Sequence, residues 1–137
     1  MVNKTDETLV FLTYNDKFLL MLKDNRLQVS DLNLWHLIGG LRKNNESFEQ
    51  TSIREVGKVT SLELDSVQYL TTLLDDKKRN FVFHAILTAH HLNNIHRAEG
   101  QNLDFFTLPE IEKLSLEKST EMFLSHNRKT IQGILHT

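Results

Sequence analysis

One stretch of this chain constrains its fold more than any other. Gly39-Gly40 leads through the polar run Leu41-Arg42-Lys43-Asn44-Asn45 to Glu46, and Arg54-Glu55-Val56 follows after seven further residues. The pattern predicts a tight glycine turn, a polar loop and then a helix carrying an Arg-Glu pair. Ser47 with Gln50 has the spacing of a capping box, so the helix is predicted over about residues 47–60. At roughly 100° per residue, Phe48, Ser52, Ile53, Val56 and Val59 share one broad face that should pack on a sheet. Gly57 falls inside the helix, where it costs about 1 kcal/mol relative to alanine.

The flanking sequence supplies strands for that sheet. Residues 8–14 alternate around Leu9 and Phe11 and read as a strand. Asn15-Asp16 is a turn signal. Residues 17–23 form a second strand, nearly continuous in apolar residues, which predicts burial on both faces. After a polar loop over 24–33, a short strand over 34–38 delivers Gly39-Gly40. Residues 66–74 and 80–90 read as a long strand pair around the charged tip Asp75 to Arg79, with a polar loop over 92–100 behind it. A strand over 103–107, a short helix opened by Pro109 and a long terminal helix over 116–135 complete the chain. Strands on both sides of a central helix, with more helix at the end, imply an α/β chain folded as a three-layer α/β/α domain.

The 137 residues suit a single domain spanning 1–137. The net charge of −2 gives no electrostatic reason to expect nucleic acid or membrane as a partner. Cysteine is absent, which excludes disulfides, thiolate metal sites and cysteine nucleophiles. No apolar run approaches the roughly 18 residues of a membrane span, and the N-terminus lacks the apolar core of a signal peptide. The expected location is cytoplasmic.

Gly40, Glu46, Arg54, Glu55, Val56 and Leu62 stand at the intervals of the Nudix box, and Trp35-His36-Leu37-Ile38-Gly39-Gly40 is similar to the Trp-x-Leu-Pro-Gly-Gly lead-in common in that family. The chain thus resembles the Nudix hydrolases, MutT-like enzymes that cleave nucleoside diphosphates linked to another group. The resemblance implies a Nudix-like α/β/α sandwich with a mixed β-sheet, a nucleotide-like small molecule as ligand, Mg²⁺ or Mn²⁺ if the protein is active, and a family habit of forming homodimers. It implies Glu55 as catalytic and metal-binding residue. It also implies Arg54 as a brace that pairs with Glu46, with Gly39, Gly40 and Arg54 beside the ligand; Lys58, one helical turn from Glu55, and His36, next to the glycine turn, are expected beside the ligand from their positions.

The end of the box departs from the family. Lys58 and Val59 stand where two metal-binding glutamates are expected, and Ser61 stands where a glycine ends the helix. Whether the chain is an enzyme is therefore open. The readings are a divergent pyrophosphohydrolase with weak or lost activity, needing Mg²⁺ or Mn²⁺ or no cofactor at all, and a catalytically silent nucleotide-binding or protein-interaction domain. Lys58, three residues after Glu55, is expected to pair with it and to stand partly in the place of the lost metal. Without glycine at Ser61, the turn after the helix is expected to change shape. Glu99 is the carboxylate best placed by sequence order to replace a lost metal ligand, with Asp104 and Glu110 expected to serve at the surface or as caps. His84 and His90, six apart on one expected strand, lie too far apart to share an ion, roughly 20 Å.

Overall fold

The computed structural model describes residues 4–22, 34–96 and 102–136. Their strands make one seven-stranded sheet. β1 (Thr5–Tyr14) is its centre, and the Asn15-Asp16 turn returns the chain along β2 (Lys17–Leu22). Asn15 takes the left-handed conformation, φ 55°, which asparagine tolerates better than most residues. β1 also pairs antiparallel with β4 (Ile38–Leu41) and parallel with β6 (Lys78–Ile86). The sheet is therefore mixed. β5 (Gln68–Leu74) pairs with β6, while β3 (Trp35–His36) and β7 (Asn102–Phe106) pair with β2.

Alternation along the strands divides the core in two. Leu9, Phe11, Phe18, Leu20 and Val82 point to one face of the sheet and pack with Phe123, Leu124, Ile131 and Leu135. Those four residues belong to α3 (Lys118–His126) and α4 (Arg128–Leu135). Val10, Leu12, Leu19, Met21 and Phe83 point to the other face and pack with Val56 and Val59 of α1 (Phe48–Thr60). β2 is buried on both faces because each face has a helical layer. The result is the expected α/β/α sandwich.

Four expectations about elements need correction. Gly39 and Gly40 lie in β4, paired with Leu9 and Thr8, rather than in a turn. Their lack of a side chain is still required, because a Cβ on Gly39 would run into the Thr8 carbonyl. The strand predicted over 34–38 is broken between β3 and β4 at Leu37, whose N–H donates to Thr120 Oγ1 at 2.9 Å instead of to the ladder. β6 stops at Ile86, so His90 is not on a strand. Thr88 caps α2 (Ala89–Asn93), accepting from His91 N at 3.2 Å while its own N–H donates to His91 Nδ1 at 3.0 Å. The terminal helix is two helices. At Asn127 the backbone (φ −120°) leaves the helical region, and the side chain donates to Phe123 O at 3.2 Å. Asparagine competes in this way with helix continuation.

No described helix is long and apolar enough to cross a membrane. The loop predicted over 24–33 lies outside the described residues, as does much of the one over 92–100.

Candidate functional site

The site begins with the loop between β4 and α1. Asn45 takes φ 70°, a left-handed conformation that asparagine adopts more readily than most residues with a side chain. Ser47 then caps α1. Its Oγ accepts from Gln50 N at 3.1 Å, and Gln50 Oε1 accepts from Ser47 N at 2.7 Å. The capping box read from the sequence is present.

Arg54, on the first half of α1, holds the loop closed. Its Nε donates to Glu46 Oε2 at 2.7 Å and its Nη2 to Glu46 Oε1 at 3.0 Å, a bidentate fork. Nη2 also reaches the Leu41 carbonyl at 3.1 Å. Glu46 accepts further from Lys43 N and from Thr51 Oγ1, each at 3.0 Å. The Arg54 guanidinium, helped by these donors, holds the Glu46 carboxyl down at about 2, against an ordinary 4.5. Glu46 in turn raises the Arg54 pKa. Thr51 is a member of this network that the sequence reading missed, since a threonine inside a helix carries no signal of its own.

Glu55 is buried beside the same guanidinium. Arg54 Nη1 donates to Glu55 Oε2 at 2.6 Å. The other flank of the carboxylate lies against β4, where a Cβ added to Gly40 would come within 2.6 Å of Glu55 Oε1. Gly40 is thus glycine because a carboxylate fills the place of its side chain. The expected Glu55–Lys58 pair does not form: Lys58 is exposed, and Glu55 pairs with Arg54. A guanidinium one residue away offers a fixed fork, whereas the lysine would have to give up solvation for a single contact. Val59 is buried in the core under α1.

A divalent cation such as Mg²⁺ takes about six oxygen ligands. Among the described residues no group of three or more His, Asp or Glu side chains is arranged to hold an ion. Beside Gly40 the carboxylate that α1 offers is Glu55, one of whose oxygens is already on Arg54. The described donor set here does not fit the metal that the resemblance implies. Glu99 lies outside the described residues. Asp104 and Glu110 serve local roles, accepting from Phe105 N and Thr107 N at 2.8 Å each.

Gly39 and Gly40 also border a cavity of about 150 Å³. His36 contributes to it, with Nδ1–H donating to the Leu37 carbonyl at 3.0 Å. Glu7, Lys78, Asn80, Glu117 and Ser119 complete its polar lining. Of these five, only Lys78 was marked in the sequence, as part of the charged tip between two strands. They converge because β1 and β6 pair in parallel, with Glu7 against Asn80, and because Asn80 Nδ2 donates to Ser119 Oγ at 3.2 Å. Both contacts link positions about 40 to 70 residues apart, beyond the reach of any local pattern. Lys78 Nζ lies 3.5 Å from Glu7. Of the expected site residues, Gly39, Gly40 and His36 meet at this cavity, Arg54 and Glu55 sit at the α1 network that shares Gly40, and Lys58 joins neither.

Phe83 is buried and meets Tyr69 edge-on, while Trp35 packs edge-on against Phe106 with centroids 4.9 Å apart. Both are core aromatics. His84 is buried on β6, and Thr13 Oγ1 lies 2.8 Å from its Nε2.

The sequence matches the NUDIX domain over residues 4–126. No curated protein matches it. Among solved structures, the chain is similar to the NUDIX domain of Shewanella oneidensis NrtR complexed with ADP ribose (TM-score 0.74, 18% identity, covering 96% of this chain and 90% of that one). It is similar to MutT from Aliivibrio salmonicida and Vibrio cholerae (0.72, 12%, 97% and 98%). A bifunctional NMN adenylyltransferase/ADP ribose pyrophosphatase from Francisella tularensis, complexed with AMP and a Mn ion, also aligns (0.74, 14%, 96%), but the match covers 43% of that longer chain.

Proposed function

Since the chain belongs to the NUDIX domain family, we propose that it is a divergent Nudix-type protein that binds nucleoside diphosphate-linked compounds and in which hydrolysis is weak or lost. The observation that carries this reading is the state of Glu55. Its carboxylate lies between the Gly40 backbone and the Arg54 guanidinium, and Lys58 and Val59 stand one helical turn further on. Cleaving a diphosphate requires positive charge that neutralises the phosphate oxygens and helps activate a water. A metal supplies that charge when several carboxylates gather it. Here the two carboxylates at the box, Glu46 and Glu55, both already face Arg54, so attraction for a divalent cation is small.

The binding half of the proposal rests on the cavity beside Gly39 and Gly40. At about 150 Å³ it is below the roughly 300 Å³ of a full small-molecule pocket. It suits one portion of a nucleotide, with the rest lying across the rim. Its lining offers donors at Lys78 and Asn80 and acceptors at Glu7 and Glu117, so a group with both kinds of polar edge would be matched. The ADP ribose of the NrtR domain and the AMP of the Francisella protein support a nucleotide-like ligand.

The test is product release from ADP-ribose, nucleoside triphosphates, dinucleoside polyphosphates and NADH, with and without Mg²⁺ or Mn²⁺, for the natural protein and Glu55→Gln. Melting temperatures are read on the same panel. We expect no metal-dependent turnover that separates the two proteins, and a rise in melting temperature with at least one nucleotide in the absence of metal. Metal-dependent turnover that Glu55→Gln abolishes would overturn the loss of hydrolysis and direct the search for ligands to Glu99. No thermal shift with any compound would overturn the binding reading and favour an interaction domain.

A further inference from the structure

The end of the sheet away from Gly40 carries an inference independent of the box. There the β1–β2 turn, the 3₁₀ helix Pro109–Lys113 and α4 border a groove of about 390 Å³. It lies roughly 20 Å along β1 from Thr8, which pairs with Gly40. Its volume is within the range of small-molecule pockets, about 300–1,000 Å³.

Each wall is set by a local device. The turn is fixed by Asn15 in its left-handed conformation. The 3₁₀ helix is opened by Pro109 and by a reciprocal pair, in which Thr107 N donates to Glu110 Oε1 at 2.8 Å and Glu110 N donates to Thr107 Oγ1 at 3.4 Å. The break at Asn127 separates α4 from α3, and Ile131 and Leu135 then pack α4 with Leu108 and Ile111 in one core cluster. Walls that are already ordered leave a ligand little ordering cost to meet.

The lining divides by chemistry. Leu108 and Leu135, both buried, make an apolar floor with Pro109. Asp16 on the turn and Glu112 on the 3₁₀ helix supply negative charge, and Arg128 at the start of α4 supplies positive charge. All three are exposed. Among the described residues none of the three enters an ion pair, so opposite charges border one groove without neutralising each other across it. A ligand of a single sign meets one favourable and one unfavourable wall. A zwitterion with an apolar arm is matched by both walls and by the floor. We propose that this groove binds a free α-amino acid with an apolar side chain. Its ammonium faces Asp16 and Glu112, its carboxylate takes the Arg128 fork, and its side chain covers Leu108 and Leu135.

Isothermal titration calorimetry with leucine, isoamylamine and isocaproate tests this, since the amine lacks the carboxylate and the acid lacks the ammonium. Leucine should bind with a dissociation constant on the order of 1 mM or below, and each analogue about five-fold more weakly, the worth of one exposed charge contact. Arg128→Ala and Glu112→Gln should each weaken leucine by a similar factor. Lys129→Ala, which changes an exposed neighbour outside the groove lining, should leave it unchanged. Circular dichroism confirms that each variant is folded. No binding of leucine, valine, methionine or phenylalanine up to about 20 mM would overturn the proposal. So would leucine binding that is indifferent to both groove substitutions. Binding of either analogue as tight as that of leucine would also overturn it, and would assign the groove to an amine or to an acid instead.

Discussion

At the scale of single residues, the site is decided by which cation each carboxylate faces. Glu46 and Glu55 share Arg54, and the fork to Glu46 is the better formed of the two contacts. The Glu46 carboxyl is held at about 2 in the folded protein, against an ordinary 4.5. A carboxyl so depressed stabilises the fold fully above the unfolded value and loses that contribution as pH falls toward the folded one. Glu46→Gln should therefore lower the denaturation midpoint at neutral pH. The gap between variant and natural protein should stay constant down to about pH 5 and close between about 4.5 and 2. Urea titrations of both proteins across that range check it; a gap that persists unchanged at about pH 2.5 would mean that Glu46 acts by packing rather than by charge. This pair was expected through the resemblance to the Nudix box, in which an arginine at the Arg54 position braces the glutamate at the Glu46 position. The Arg54–Glu55 contact was not. Sequence neighbours on a helix do not ordinarily face each other, and only the buried corner at Gly40 turns Glu55 back toward the guanidinium.

At the scale of elements, α1 shows most directly how local signals and tertiary demands divide the work. Its start was readable because capping is local chemistry, and its packing face because the apolar spacing repeats. Its end departs from expectation. Ser61 was expected to reshape the exit, yet it adopts the left-handed conformation, φ 67°, and its N–H donates to Gly57 O at 2.9 Å. The serine keeps the glycine's geometry and accepts the strain, about 1 kcal/mol for a residue with a Cβ. Ser61→Gly should accordingly raise stability by roughly 0.5–1 kcal/mol. Gly57 is the converse case. A Cβ there would meet only the Leu62 carbonyl at 3.4 Å, an ordinary contact, so Gly57→Ala should add about 1 kcal/mol through helix propensity. Chemical denaturation of the two single variants and the double variant reads both effects; destabilisation by Gly57→Ala would show that the exit of α1 has no room to relax. Most of the misread elements share one cause. The cap of α2, the break at Asn127 and the interruption at Leu37 each depend on one side chain bonding the backbone, which no hydrophobic period reports.

At the scale of the whole molecule, the sandwich places its titrating groups at different depths, and acid should find them in order. His84 lies on the central pair of strands, within 5.7 Å of the Phe11 ring and hydrogen-bonded to Thr13. Asp65 and His91 border the same surface groove. Burial pushes the His84 pKa below its ordinary 6.5, because the charged ring would lose its hydration among the core aromatics. As pH falls below 6.5 the unfolded chain takes up this proton first, so stability declines until the pH passes the folded value, and then levels. Glu46 begins to act only below 4.5. The stability of the natural protein should therefore fall in two stages, an upper one from His84 and a lower one to which Glu46 contributes beside Asp75 and Glu110, whose carboxyls backbone donors also hold down. His84→Gln keeps a donor for Thr13 and a similar volume while removing the titration. It should flatten the upper stage and leave the lower one, whereas Glu46→Gln should shrink the lower stage and leave the upper one. Unfolding free energies at half-unit steps of pH, for the three proteins, separate these. An upper stage that survives in His84→Gln would show that the buried position of His84 has no acid signature of its own.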